Sequence, residues 1–172
     1  MSRPVLKLLP ALLVAALALP HGAFAQQAAA TKATNGKTDQ RQIERGRYLV
    51  KVAGCNDCHT AGYAMSGGKV PESQWLMGDK LGWKGPWGTT YPINLRLYFR
   101  DMSEATWLKR AKTMETRPPM PWFALHDMTE QDLKAIYRYT KTLQPAGEPA
   151  PAFVPPGKEP QGPVVTFPAP PK

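Results

Sequence analysis

Apolar side chains recur at helical spacing in three stretches of this chain. The first stretch runs from Asp39 to Ala53, and Gly46 lies on its apolar stripe. A helical glycine costs about 1 kcal/mol relative to alanine, a cost that makes sense where a second helix crosses closely. The pattern therefore predicts a first helix with a crossing point at Gly46. The positions expected to face inward are Ile43, Gly46, Tyr48 and Val50.

The second and third stretches carry helix start signals. Ser103 as N-cap predicts a helix that ends before Pro118. Thr129 and Asp132 form a capping-box arrangement, which predicts a last helix that stops before Pro145. The two apolar stripes are Trp107, Leu108, Ala111 and Met114, and then Leu133, Ile136, Tyr137, Thr140 and Leu143.

The N-terminus is typical of a cleavable secretory signal. Two cations precede an apolar run over residues 8–19, and Ala23-Phe24-Ala25 provides a small-residue cleavage site. An uncleaved membrane anchor is the alternative, but a bilayer-spanning helix needs about 20 apolar residues. We expect cleavage after Ala25, export to the periplasm if the source is a bacterium, and at most peripheral membrane contact.

The remaining chain divides by composition. Residues 26–38 are polar and lack apolar periodicity, so we expect a flexible leader. Residues 39–144 hold all the helical patterning and predict one small domain. Residues 145–172 contain ten of the nineteen prolines, which predicts an extended strap or a disordered tail.

The most specific motif is Cys55-Asn56-Asp57-Cys58-His59, which holds both cysteines of the chain. Cys-x-x-Cys-His is the signature of covalent haem attachment. Two thiols at this spacing can each reach one vinyl group on the same porphyrin edge, and the histidine that follows then directs its imidazole at the iron. The motif predicts one haem c, attached through Cys55 and Cys58, with His59 as an iron ligand.

A dithiol redox pair and half of a zinc site are alternative interpretations of the same cysteines. Thioredoxin-like motifs lie in a βαβ context, and structural zinc needs further cysteine or histidine ligands. Beyond the signal segment the only other histidine is His126. A zinc site would have to recruit carboxylates, so haem attachment is favoured.

Glycines and aromatic residues alternate between the motif and the second helix, a composition suited to irregular backbone around a flat apolar group. Trp87, Tyr91 and Asn94 are candidate haem-pocket walls or hydrogen-bond donors to haem propionates. Alternatively, Trp87 and Tyr91 simply fill the core, because aromatic residues dominate core burial with or without a cofactor.

The order of these elements resembles a class I cytochrome c domain, and the similarity spans about Arg45 to Leu143. The stretch from Gly85 to Asn94 is also similar to a segment of cytochrome c subunits and modules of bacterial membrane-associated alcohol and aldehyde dehydrogenases. The resemblance implies an all-α fold in which three main helices surround a covalently bound haem, with long loops and a Pro-rich C-terminal extension.

The resemblance also implies that Met120 is the second axial ligand of the iron. Met120 lies in Arg117-Pro118-Pro119-Met120-Pro121, a segment that makes no regular helix and precedes the last helix. A Met/His pair suits an electron-transfer haem. His126 is the rival ligand, and Met114 is expected to face the core.

Ligation by His59 and Met120 would fill both axial positions of the iron and leave no open site for a substrate. We therefore expect an electron-transfer protein rather than an enzyme, passing single electrons from a dehydrogenase to an oxidase or the respiratory chain. One alternative is a haem enzyme or ligand sensor with a labile methionine. Another is a non-catalytic relay subunit whose Pro-rich tail docks onto a larger dehydrogenase.

The net charge is +9, and removal of residues 1–25, which hold two cations and no anions, leaves +7. The basic residues are interspersed with acidic ones, so no nucleic-acid arm is indicated. A positive field favours redox partners with acidic docking surfaces or an anionic membrane surface. The charges could equally serve only solubility.

Overall fold

The computed structural model describes residues 39–168, which form six α-helices, a short 3-10 helix and a three-stranded sheet. The helices are α1 (39–52), α2 (Cys55–His59), α3 (Leu95–Tyr98), α4 (Glu104–Thr113), α5 (Trp122–Asp127) and α6 (Glu130–Thr142), and the 3-10 helix is Glu72–Gln74. The strands are β1 (Gly82–Gly85), β2 (Gly88–Thr90) and β3 (Val164–Thr166). The predicted signal (1–25) and leader (26–38) lie outside the described residues.

Helix α1 crosses α6 at the predicted glycine. A Cβ atom on Gly46 would lie 2.0 Å from the carbonyl oxygen of Ala135, so the close crossing is confirmed. Tyr48 was expected to face inward and is 53% exposed, while Leu49 is buried. The reason is helical geometry: position 49 lies one turn from Gly46 on the same face, whereas position 48 points away.

Helices α4 and α6 begin at the predicted caps. The side chains of Ser103 and Thr129 accept hydrogen bonds, each of 3.1 Å, from main-chain N–H groups in the first turns. The two helices pack together, and the indole N–H of Trp107 donates to the carbonyl oxygen of Leu133 at 2.8 Å. The sequence did not predict α5, which packs against α4.

The core is filled from the helices and from the long segment between α2 and α4. That segment contributes Tyr63, Trp75, Leu76 and Phe99, all of them buried. The rings of Tyr63 and Trp75 meet edge to face with centroids 5.7 Å apart. Aromatic residues of this irregular segment therefore form part of the hydrophobic core.

The sheet corrects the expectation of an all-α fold. Its strand order is β2-β1-β3, with β1 and β2 joined as an antiparallel hairpin through Pro86 and Trp87. Strand β3 pairs in parallel with β1, and Gly82 lies opposite Val164. Strands of three or four residues that contain glycine have no alternating apolar pattern, so they could not be recognised from the sequence.

Residues 145–168, named here the C-terminal strap, lie along the segment from β1 to Asn94. The amide of Asn94 donates to the carbonyl oxygens of Ala146 at 2.8 Å and Glu148 at 3.2 Å. Lys84 pairs with Glu159 at 2.8 Å, and β3 completes the sheet. The folded unit thus continues past residue 144, where the sequence pattern placed its boundary.

No helix within residues 39–168 has the length and apolar character needed to cross a bilayer.

Candidate functional site

The Cys-x-x-Cys-His motif forms a helix of its own. Gly54, in the left-handed conformation with φ of 74°, ends the connection from α1, and α2 then holds the whole motif. Cys55 and Cys58 are partly buried and are not joined in a disulfide. Because residues three apart lie on the same face of a helix, the two cysteines share one face of α2.

The His59 side chain is buried and oriented by a main-chain group. Its Nδ1 atom donates to the carbonyl oxygen of Ile93 at 2.8 Å. A carbonyl only accepts, so Nδ1 carries a proton, and in the neutral ring Nε2 then keeps its lone pair. Burial lowers the pKa of His59, although the hydrogen bond to Ile93 acts in the opposite direction. The lowered pKa favours the neutral imidazole, and the proton on Nδ1 selects the tautomer that binds a metal through Nε2.

The segment that presents the Ile93 carbonyl is itself anchored. The Asn94 side chain caps α3 by accepting from the N–H of Leu97 at 3.1 Å. The buried guanidinium of Arg96 donates to main-chain carbonyls of Glu72, Ser73, Trp75 and Leu143 over 2.7 to 3.2 Å. These bonds fix the backbone that sets the orientation of His59.

The chemistry of the thiols argues against the two alternative cysteine sites. Burial raises the pKa of Cys55 to about 11, and burial together with the charge of Asp57 raises the pKa of Cys58. A catalytic dithiol requires a depressed pKa instead. In the part of the chain that the structure describes, no three His, Cys, Asp or Glu side chains cluster as metal ligands. The raised thiol pKa values thus do not suit a catalytic dithiol.

Met120 lies in the irregular segment between α4 and α5. It is half-buried and packs against the core, and its carbonyl oxygen accepts from the N–H of Trp122 at 2.9 Å. Met114 also packs against the core, as expected. The rival ligand His126 lies on α5, where its Nε2 atom is 3.0 Å from the carbonyl oxygen of Met114. That nitrogen of His126 is already engaged in a hydrogen bond.

The remaining predicted residues have different surroundings. Trp87 lies in the β1–β2 turn, its ring centroid 5.5 Å from that of Phe167 in the strap, and its buried Nε1 atom has no partner among the described residues. Tyr91 is half-buried and borders Gly82. Asn94 donates both amide protons to the strap, so in this geometry it keeps no donor for a propionate.

Sequence reasoning missed one residue that contacts the motif, Ile93, and one buried donor elsewhere in the fold, Trp83. The Nε1 atom of Trp83 is also buried without a partner among the described residues; its only sequence signal was its position in the glycine-rich aromatic segment. Ile93 acts through its main-chain carbonyl, which any residue type carries, so no sequence signal could have identified it.

Comparison with known proteins gives one consistent result. The chain is 28% identical over 140 residues to the cytochrome c subunits of quinone alcohol dehydrogenases from Gluconacetobacter polyoxogenes and Komagataeibacter europaeus, covering 74% of this chain and 27% of each relative. It is 28% identical over 134 residues to the fructose dehydrogenase cytochrome subunit of Gluconobacter japonicus, covering 70% and 25%. The chain thus spans about a quarter of the length of these relatives.

No family model and no solved structure matches the chain. The predicted resemblance to cytochrome c proteins is confirmed by the curated relatives, and the six helices with a small sheet fit a cytochrome c-like fold. More specifically, the chain is similar to cytochrome c subunits of bacterial dehydrogenases.

Proposed function

We propose that this protein is a c-type cytochrome with a single haem, attached through Cys55 and Cys58 and ligated by His59 and Met120. The observation that carries the proposal is the hydrogen bond from His59 Nδ1 to Ile93. That bond fixes a buried neutral imidazole directly after two adjacent thiols, as covalent attachment and iron ligation require. When bound, the haem supplies an iron that takes up and releases one electron.

We further propose that two tryptophans outside the motif face the haem. Trp83 and Trp87 each keep a buried indole N–H without an acceptor among the described residues, and a haem brings two propionate carboxylates. An unpaired buried donor is costly, so an acceptor supplied by a cofactor would relieve that cost. The main helices then enclose the haem together with the irregular segments. Tyr91 remains a candidate for the pocket wall.

The proposed activity is transfer of single electrons between redox partners in the periplasm. His59 and Met120 would hold both axial positions, which suits electron transfer and leaves substrate chemistry to other proteins. The relatives are named as subunits of dehydrogenases, which supports a dehydrogenase as electron donor and an oxidase or respiratory complex as acceptor. The positive charge of the chain favours partners with acidic docking surfaces.

Absorption spectra of the exported protein in both oxidation states test the haem assignment. We expect covalently bound haem with low-spin bands, and the ferric charge-transfer band of methionine ligation. Met120→Ala should lose that band, whereas Met114→Ala should keep it. A colourless product with free thiols at Cys55 and Cys58 would contradict the whole proposal. Carbon monoxide binding to the reduced parent at neutral pH would point instead to a haem enzyme or sensor.

A second candidate, favoured by the names of the relatives, is a non-catalytic relay within a dehydrogenase complex. A purified quinone-dependent alcohol dehydrogenase, given its substrate, should then reduce this cytochrome in stopped-flow mixing and co-elute with it. Rapid reduction without co-elution would support a diffusing carrier, and the absence of reduction would exclude this class of donor.

A further inference from the structure

We propose that the C-terminal strap positions the methionine loop, residues 114–121, so that Met120 stays available to the iron. Phe153 and Arg117 are the positioning residues. The inference rests on the proposed ligation by Met120 and extends it to a segment that carries no ligand itself.

The strap touches the methionine loop directly. The guanidinium carbon of Arg117 lies 3.9 Å from the ring centroid of Phe153, well within the range of a cation–π contact. Arg117 is three residues before Met120, so this contact restrains the loop beside the proposed ligand. The Phe153 side chain is half-buried, so part of it packs against neighbouring residues.

A second restraint reaches the loop through the sheet. The hydroxyl of Thr90 donates to the carbonyl oxygen of Pro118 at 2.7 Å, two residues before Met120. The neighbouring Thr89 exchanges two main-chain hydrogen bonds with Val154, of 2.8 and 3.0 Å. Strand β2 therefore connects the strap to the methionine loop. Phe153 takes part in the first restraint and its neighbour Val154 in the second.

The local backbone is suited to the approach of the strap. Gly88 has a φ of 99°, a conformation that L side chains rarely adopt. A Cβ atom there would lie 2.4 Å from the carbonyl oxygen of Val154 and 3.0 Å from the Phe153 ring. Only glycine lets the strap reach β2 at the level of Phe153.

The strap is also fastened on both sides of Phe153. Asn94 binds it at Ala146 and Glu148, and strand β3 binds its later part by pairing with β1. An irregular loop loses conformational freedom when its methionine binds the iron. Two restraints next to Met120 remove part of that freedom beforehand, so an external ligand should displace the methionine less readily.

Imidazole binding to the ferric full-length holoprotein tests the inference. Imidazole is mostly neutral at pH 8, so removal of the Arg117 charge does not by itself alter its approach. Phe153→Ala and Arg117→Ala should each raise imidazole affinity about two- to fivefold, the equivalent of the ~0.5–1 kcal/mol typical of an exposed cation–π contact. The double variant should gain no more than either single variant. Phe153→Leu, which keeps apolar volume but lacks the aromatic face, should behave like Phe153→Ala.

Glu159→Gln is the matched control, because it weakens the strap far from the loop and should leave imidazole affinity unchanged. Parental affinity in both single variants would overturn the inference, as would additive effects in the double variant. An equal effect of Glu159→Gln would also overturn it, because general loosening would then explain the result. If the parent protein lacks the charge-transfer band of methionine ligation, the proposed ligation by Met120 is wrong and the inference fails with it. If the parent has the band but the variants keep parental imidazole affinity, only the inference is refuted.

Discussion

Gly46 of α1 lies directly against the main chain of Ala135 in α6. A Cβ atom on Gly46 would come within 2.0 Å of the Ala135 carbonyl oxygen and 2.7 Å of the Cβ atom of Tyr139. Neither neighbour is the end of a flexible side chain, so the two helices would have to separate. The distance between α1 and α6 is thus set by the absence of a side chain at one position.

Gly46→Ala should destabilise the protein. Overpacking costs about 3 kcal/mol, and the better helix propensity of alanine returns about 1 kcal/mol, so the net loss in the free energy of unfolding is about 2 kcal/mol. Urea denaturation of the purified holoprotein measures it. In Gly62→Ala an added Cβ meets nothing within 4 Å, although φ is 71°; this control should lose only about 1 kcal/mol through backbone strain. Equal losses would contradict the crossing argument.

Acid should weaken the contact that joins Glu72 to α1 and α6. Burial by itself raises the pKa of Glu72, but hydrogen bonds from Arg47 and the Tyr139 hydroxyl, both 2.8 Å, outweigh it and hold the pKa below its usual value. A carboxylate whose pKa is lower in the folded state contributes its full stabilisation at pH values above its pKa in the unfolded chain, about 4.3. This stabilisation is lost as the pH falls through the pKa of the folded state.

Glu72→Gln should remove that pH-dependent part of the stability. The carboxylate is partly exposed, so we expect a loss of about 0.5 kcal/mol at pH 6, with parent and variant converging below pH 3. Thermal melts across pH 2.5 to 6 measure the difference. The control is Glu115→Gln, at an exposed carboxylate, which should change stability by less than about 0.5 kcal/mol. A constant gap between parent and Glu72→Gln would show that the lowered pKa is not the cause.

Arg96→Lys should be strongly destabilising although it keeps the charge. The guanidinium donates to four main-chain carbonyls from a buried position, and an ammonium on a different stem cannot reproduce that fork. Buried carbonyls left unpaired give an expected loss of about 3 kcal/mol in urea denaturation. Arg100→Lys, whose side chain is exposed and pairs with Asp101, should change stability by less than about 0.5 kcal/mol.

Asn94→Ala distinguishes a structural residue from a haem contact. It removes a helix cap and both hydrogen bonds to the strap, so we expect a loss of about 2–3 kcal/mol. Ser103→Ala removes a single cap and should cost about 1 kcal/mol. The absorption spectrum of the folded Asn94→Ala holoprotein should match that of the parent, because the four hydrogen bonds of Arg96 still anchor the backbone beside His59. A spectral or redox change without a larger loss of stability would favour a role at the haem instead.

The sequence predicted the parts of the fold that depend on local signals. Ser103 and Thr129 cap their helices through the same side-chain oxygens that made them recognisable. The Gly46 crossing followed from the cost of a glycine within an apolar stripe. The prediction that Tyr48 faces inward was wrong because it rested on the apolar character of the ring. The 3.6-residue period of the helix places Leu49, not Tyr48, on the buried face.

The parts that could not be predicted depend on contacts distant in sequence. The pairing of Gly82 with Val164 brings together segments from the middle and the end of the chain, and neither has an alternating pattern. Helix α5 has only six residues and follows directly after Pro121. At the candidate site the motif identified His59, but the acceptor that orients its ring is a backbone atom.

The parallel pairing of β1 with β3 has a consequence for biosynthesis. The middle strand of the sheet is made long before its parallel neighbour, so the sheet cannot be completed until the ribosome has translated residues 164–166. A premature stop codon shortly upstream would therefore leave β1 with an open edge, a vulnerable surface for aggregation, even though every candidate haem ligand would already be present.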